Sequence, residues 1–332
     1  MQRILSLVAT SLMFGSLACG PAEESPGSVD TAAPGSFADQ LVGTYRLEVI
    51  EGRDDNGEWV FEPPERTGYI MYDSTGFMAV QIMPVGRKPY AGEQPTPDEA
   101  VAAIYTDGLT ARSTYSAYHG PYSVDAATST VTHHRDRHLN PNNTGVDAVR
   151  HATLSGNDVI LSTPADAPNG EFERHLIWRR QPDIPDMPEV ERQFVGFWRL
   201  VSREHRTLDG ELVSTEEGRT GYIVYTSTGH MAVQMMQPDR KQFASSTPTP
   251  QEALGALTSF TNYFGTFSVD EAAGTVTHER EGNLNPGQIN DVIRYWSFSD
   301  NRLILKGPPT TLDDGRQVQF INTWERVVGP SQ

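Results

Sequence analysis

The residues of this chain that could do chemistry come in pairs. His133 and His278 each stand two places after a valine, Val131 and Val276, so on an extended chain each shares a face with an apolar neighbour. Histidine is the side chain suited to proton transfer near neutrality, which makes these two the candidates for catalysis. The competing reading is a histidine held in place by structural hydrogen bonds. Gln81 lies between Ala79 and Met83 on one face of an apolar strand, and Gln234 lies likewise between Ala232 and Met236. An amide there either lines a cavity or bonds a neighbouring strand. Arg150 and Arg294 fall mid-strand, where a guanidinium either grips a ligand carboxylate or closes an ion pair with Asp or Glu. Tyr69 and Tyr222 stand on the preceding strand, with Tyr72 and Tyr225 on its opposite face. Tyr118 and Tyr263 precede Gly120 and Gly265, where a side chain could cap a barrel mouth. The candidate ligand-binding set is therefore Tyr69, Gln81, Met83, Tyr118 and Arg150, with Tyr222, Gln234, Met236, Tyr263 and Arg294.

Other chemistries find little support. His133, His134, His138, His151 and His175 lack the tight spacing of a metal site, and adjacent strand histidines point to opposite faces, so no metal is expected. No Gly-x-Ser-x-Gly, phosphate-binding glycine loop or dinucleotide fingerprint occurs, and no cofactor is expected. With 26 Lys+Arg against 43 Asp+Glu, the net charge of −17 makes nucleic acid an unsuitable partner.

The pairing of candidate residues follows from a repeat. Residues 66–83 read RTGYIMYDSTGFMAVQIM and residues 219–236 read RTGYIVYTSTGHMAVQMM, with fourteen of eighteen positions identical at an offset of 153. Such recurrence marks two copies of one structural unit. Each motif reads as two strands joined by a Ser-Thr-Gly hairpin turn. A loop follows, with Arg87-Lys88 and Tyr90 in copy one and Arg240-Lys241 and Phe243 in copy two. It reads as a solvated loop or as a portal that attracts anions. Thr96-Pro97-Asp98-Glu99 and Thr249-Pro250-Gln251-Glu252 then open a helix with a capping box. Further strands are expected at 119–125, 130–138, 147–154, 159–163 and 173–180 and at their counterparts. Trp178 and Trp324 are placed where the barrel closes. Eight or nine short antiparallel strands with one helix after the fourth point to an all-β chain of two tandem antiparallel barrels or sandwiches. Barrels are favoured, because closure removes the edges and about eight strands is the size that holds one small ligand. The expected limits are 37–181 and 192–328, joined by a Pro- and acid-rich linker at 182–191.

The N-terminus is of another kind. A short basic start and an apolar run to Leu17 precede Cys19, the chain's one cysteine. This is a secretory signal over 1–18. Ser16-Leu17-Ala18-Cys19 also resembles a lipobox, although its leucine stands two residues before the cysteine rather than three. Cys19 would then carry a lipid, and 19–36 would be a disordered tether. The expected address is an exported lipoprotein of the outer membrane or cell surface, or a periplasmic or extracellular protein if the cysteine is not acylated. The membrane is touched only through that anchor.

The sequence blocks VGTYRL, GYIMYDSTGFMAVQIM, VTHH, LNP and LIWRR, and in copy two FVGFWRL, GYIVYTSTGHMAVQMM, VTHE, LNP and NTWER, resemble the bacterial and fungal lipocalin-like domain family. Gly196-Phe197-Trp198 keeps the Gly-x-Trp typical of lipocalins, and Gly43-Thr44-Tyr45 departs from it conservatively. The resemblance implies calycin-type barrels with an internal cavity and implies no particular reaction. The function expected is binding of a small, largely apolar or weakly acidic molecule in each barrel. Two alternatives stand beside it: an isomerase, cyclase or hydrolase-type enzyme that uses the cavity, and a structural or partner-binding module with filled barrels.

Overall fold

The computed structural model describes residues 35–54, 56–104, 115–163 and 173–329. The expected signal peptide, Cys19 and nearly all of the tether lie outside the described residues, as does the segment 105–114.

The first repeat folds as β1 (Gly43–Arg53), β2 (Trp59–Phe61), β3 (Arg66–Tyr72), β4 (Phe77–Pro84), β5 (Ser116–Asp125), β6 (Thr130–His134), β7 (Arg137–His138), β8 (Asp147–Ser155), β9 (Asp158–Thr163) and β10 (Arg174–Arg180). Eight of these form a ring in the order β1-β3-β4-β5-β6-β8-β9-β10, and β10 pairs back onto β1. The second repeat folds as β11 (Gly196–Thr207), β12 (Leu212–Thr215), β13 (Thr220–Tyr225), β14 (His230–Met236), β15 (Phe260–Asp270), β16 (Thr275–Asn283), β17 (Val292–Ser299), β18 (Arg302–Lys306), β19 (Thr310–Thr311) and β20 (Gln317–Arg326). Its ring runs β11-β13-β14-β15-β16-β17-β18-β20 and closes β20 onto β11. All pairs in both rings are antiparallel. Closure leaves neither ring with a free edge, and among the described residues only the short strands outside the rings, such as β2, β12 and β19, pair on one side alone.

Four helices accompany the strands: α1 (Phe37–Leu41), α2 (Pro97–Ile104), α3 (Glu189–Arg192) and α4 (Pro250–Thr258). The two longer ones follow the fourth strand of each repeat, β4 and β14. Their starts are the expected capping boxes. Thr96 Oγ1 accepts from the Glu99 amide and Glu99 accepts from the Thr96 amide, and Thr249 and Glu252 repeat this. The strand expected at 130–138 is broken in copy one. The Asp136 amide turns back onto the His134 carbonyl at 2.8 Å, separating β6 from β7. Gly120 lies against this kink, where an added Cβ would come 1.9 Å from the His134 oxygen, and Gly265 meets the Glu279 oxygen at the same 1.9 Å. Only glycine fits where the strands cross so closely.

One end of each barrel is closed by aromatic residues and an arginine. In copy one Tyr45 lies under Arg180, whose Nη1 donates to the Val42 carbonyl at 2.7 Å. In copy two Trp198 takes the place of Tyr45 beneath Arg326, and its Nε1 donates to the Phe194 carbonyl at 2.7 Å. Trp178 and Trp324 are buried across the closing strand pairs, opposite Leu47 and Leu200, as expected.

The barrels pack side by side through β3, β4 and β5 of one and β13, β14 and β15 of the other. Both faces of β4 and β14 are therefore buried, one toward the barrel interior and one toward the other barrel. Tyr69, Met71 and Ala79 form one cluster with Phe197, Val224, Ala232 and Phe264. The contacts are reciprocal. Arg87 donates to the carbonyls of Asn283 and Leu284 at 2.7 and 2.8 Å, and Arg240 donates to those of His138 and Leu139. Helices α2 and α4 pack against each other in a second shared cluster. Equivalent residues thus meet each other's counterparts, the arrangement of a two-fold dimer interface within one chain.

Candidate functional site

The alternation of β16 aims Val276, His278 and Arg280 to one side and Thr277 and Glu279 to the other. The first set points into the second barrel, where His278 and Arg280 join Arg203, Arg219, Tyr263 and Arg294 around a cavity of about 220 Å³. Its apolar wall includes Ile223, Met235, Phe320 and Trp324. Four guanidinium groups line this space and no carboxylate does.

The arginines are held from behind. Arg203 Nε reaches Glu216 at 2.6 Å, its Nη1 donates to Asn322 Oδ1 at 3.1 Å, and its guanidinium covers the Phe320 ring. Arg219 Nε lies 2.8 Å from the other oxygen of Glu216. Burial raises the Glu216 carboxyl, but Arg203 and Arg219 outweigh it and leave the group below its usual range. Arg294 Nη1 donates to the Ile293 carbonyl at 2.8 Å and the guanidinium lies over Phe320. Arg280 Nε donates to the Asn290 carbonyl at 2.5 Å, and its guanidinium lies over Tyr263. Burial pulls Arg294, Arg280 and Arg219 all below the ordinary arginine value. Glu216 contacts two of the four guanidiniums and Asp291 acts on Arg280, so the positive charge of the lining is only partly compensated.

His278 sits at the floor of the cavity between two tyrosines. Its Nε2 is 2.8 Å from the Tyr225 hydroxyl and its Nδ1 is 2.9 Å from the Tyr263 hydroxyl. Burial, reinforced by Arg294 and Arg280, lowers its pKa to about 3 and keeps the imidazole neutral at physiological pH. The first barrel repeats the arrangement. His133 lies between Tyr72, 2.7 Å from Nε2, and Tyr118, 2.9 Å from Nδ1. Arg135 lies over Tyr118 as Arg280 lies over Tyr263. Glu62 bridges Arg66 and Arg174 at 3.2 and 2.9 Å, as Glu216 bridges Arg219 and Arg203.

The lipocalin-like domain model matches residues 42–181 and again 195–327. The chain belongs to the lipocalin-like domain family. No curated protein matches it. Solved structures with some likeness include a protein of unknown function from Nostoc punctiforme, 10% identical, covering 89% of this chain and 100% of that chain with a TM-score of 0.21. A candidate outer membrane protein from Bacteroides fragilis is 8% identical over 88% of this chain and 100% of that one, with a TM-score of 0.22. A variant of transferrin binding protein B from Haemophilus parasuis is 10% identical over 87% and 76%, with a TM-score of 0.21. At these scores the likenesses carry no argument about function.

The lipocalin-like tandem divides the sequence candidates into two groups. Tyr118, His133 and Arg150 are buried in the first barrel, and Tyr263, His278 and Arg294 meet in the second. Gln81, Gln234, Tyr69, Tyr222, Met83 and Met236 do not face a cavity, which corrects the expectation for them. All six lie on the outer wall where the barrels meet. Gln234 Nε2 donates across the interface to the Val80 and Tyr118 carbonyls at 3.0 and 3.1 Å and to Gln81 Oε1 at 3.2 Å. Tyr69 donates to Glu281 of the other barrel at 2.8 Å, and Tyr222 packs edge-on against His119 and tilted against Phe77. Met83 and Met236 pack in the clusters between barrels. The Arg87 and Arg240 loops are largely exposed, Lys88 and Lys241 included, but the two guanidiniums turn inward and bind carbonyls of the opposite barrel. Sequence reasoning missed Arg203, Arg219 and Arg280. The signal for two of them was present: Val-x-His-x-Arg at 131–135 and 276–280 is one strand face, and Arg66 and Arg219 open the repeated motif.

Proposed function

We propose that this tandem is an exported binding protein whose second barrel holds a small organic anion with an apolar body. The observation that carries the reading is the lining of four arginines without a lining carboxylate around a cavity of about 220 Å³. A protein buries a cluster of like charges only at a cost in stability, and such clusters mark functional sites. The cavity suits a molecule little larger than a substituted benzene ring, since an apolar cavity of about 150 Å³ accommodates benzene. A carboxylate or phosphate would meet the guanidiniums in charge-assisted hydrogen bonds, and Phe320, Trp324, Ile223 and Met235 would cover the apolar part. The basic start, apolar run and single Cys19 of the first nineteen residues support export with a lipid anchor.

Calorimetric titration of the tandem with benzoate and with benzamide, its neutral analogue of similar shape, tests the binding reading. Benzoate is expected to bind and benzamide to bind at least about tenfold more weakly. Equal binding of the two, or of neither, would remove the charge argument. Arg294→Met should weaken benzoate binding by about tenfold or more, the value of one charge-assisted hydrogen bond. It should leave thermal stability unchanged or raised, since it removes a half-buried cation with no ion-pair partner among the described residues. For the anchor, Cys19→Ala should release the protein from the membrane fraction of its host.

A further inference from the structure

The hydrogen-bond inventory around His278 fixes more than its position. A neutral imidazole has one N–H donor and one bare nitrogen acceptor, and both nitrogens of His278 face a tyrosine hydroxyl. One tyrosine must therefore donate to the ring and the other must accept from it. Tyr225 is 1% exposed and packs edge-on against Phe194 and Phe267. Its hydroxyl has one hydrogen-bond partner among the described residues, His278 Nε2. If Nε2 carried the proton, the Tyr225 hydrogen would be left in apolar surroundings without an acceptor, a loss of about 1–3 kcal/mol. Tyr225 therefore donates to Nε2, and the proton of the ring sits on Nδ1. That N–H donates to the Tyr263 oxygen.

We infer that this locked tautomer makes Tyr263 a ligand-binding donor, its O–H turned from the histidine into the arginine-lined cavity to meet an oxygen of the bound anion. The reading rests on the anion-binding function proposed above and adds a specificity-determining residue to it. The neighbours of Tyr263 strengthen the point. Arg280 lies over its ring, and Arg294 and Arg203 are close enough to oppose the effect of burial on its hydroxyl. Guanidiniums donate and cannot accept. The O–H therefore cannot be satisfied by them, which leaves it free to meet an oxygen of the ligand. The same geometry denies His278 the role of a general base, because its bare nitrogen faces Tyr225 and not the cavity. The matched distances about His133, with Tyr72 on Nε2 and Tyr118 on Nδ1, place the equivalent pair in the first barrel.

Long-range nitrogen–proton correlation spectra of the intact, ligand-free tandem decide the tautomer, with His278→Gln used to assign the resonances. A neutral ring protonated on Nδ1 is expected. Protonation on Nε2 would overturn the inference whatever the cavity binds. Benzoate titration then reads the consequence in two variants that keep the side-chain volume. Tyr263→Phe should weaken benzoate by about tenfold or more. Tyr225→Phe never touches the cavity, yet it removes the donor to Nε2. The ring proton should stay on Nδ1, because an Nε2–H would have no acceptor there, and benzoate affinity should stay near the parent value. Unchanged benzoate affinity in Tyr263→Phe, or a loss in Tyr225→Phe as large as that in Tyr263→Phe, would refute the inference. Failure of benzoate to bind the parent protein would count against the anion reading alone, since the tautomer is measured without ligand.

Discussion

Histidine 119 shows how a single residue ties the fold to pH. It lies on β5 at the barrel–barrel interface, 1% exposed, with Nδ1 3.1 Å from Gln234 Oε1. The Gln234 amide nitrogen donates to three acceptors, so its oxygen must accept, and His119 donates from Nδ1. Nε2 is left buried without a hydrogen-bond partner among the described residues. Burial lowers the pKa to about 4, Gln234 resists this slightly and Arg137 adds to it. Burial also lowers His278 to about 3 and holds His133 and His138 well below the usual histidine value. In all four the unfolded chain binds the proton more readily than the folded one. Stability is then complete above about pH 6.5 and falls as the pH drops toward 4, by about 3 kcal/mol for His119 alone. Chemical denaturation across that range should show a steep loss. His119→Phe, which places in copy one the residue that copy two has at Phe264, should flatten the curve by the share of one proton. It should also lower neutral-pH stability by about 1–3 kcal/mol, because Gln234 Oε1 loses its donor. A pH profile identical to that of the parent would show that His119 titrates normally.

At the scale of the element, the strands β4 and β14 explain what could be read in the sequence and what could not. Alternation, the Ser-Thr-Gly turns and the Thr-Pro-x-Glu caps are local signals, and they placed the closed eight-strand rings and the helix after the fourth strand. The side on which Gln81 and Gln234 lie was a matter of tertiary packing. A strand with one wet face reads apolar–polar in alternation, whereas FMAVQIM and HMAVQMM are apolar on both faces. That continuous run signals burial on two sides, one in the barrel and one against a partner. Gln81 and Gln234 are the polar exceptions on the partner side, bonded to each other, and the sequence could not tell one apolar environment from the other. The face that does carry the site was legible in Val-x-His-x-Arg. Arg203 was not, because its counterpart in copy one is Ile50 and the matching arginine has moved to Arg174 on another strand. Only the fold brings Arg203 and Arg174 to similar positions beside Glu216 and Glu62. Gln234→Leu removes the donor to two backbone carbonyls and to Gln81, and the acceptor of His119. It should cost about 2 kcal/mol or more in urea denaturation while benzoate binding in the second barrel stays near the parent value. A large loss of binding would mean that Gln234 reaches the cavity after all.

The whole molecule behaves as a two-fold dimer written into one chain. The reciprocal Arg87 and Arg240 clamps, the packing of α2 on α4 and the Gln81–Gln234 contact all join a residue of one barrel to the counterpart region of the other. This interface is continuous with the barrel walls, since β4 and β14 serve both. Opening it would expose Tyr69, Met71, Val224, Ala232 and Phe264 to water, each side chain worth roughly 1.5–3 kcal/mol when large and fully buried. Separation of the barrels should thus be coupled to their unfolding, and urea should melt the tandem in one cooperative transition. The connection between barrels adds less. Residues 182–186 run over the surface, touching barrel two through the Ile184 amide, which donates to the Ser227 carbonyl at 2.9 Å. A protease site introduced at Pro185–Asp186 should be cut in the native protein, and the two fragments should still elute together on size exclusion. Repeating the cut with Gln81→Arg, which buries an unpaired cation against Gln234 and the Val80 and Tyr118 carbonyls, should separate or unfold them. If the nicked parent already falls into independent barrels, the linker is what holds this tandem together and the interface is weaker than its apolar content implies.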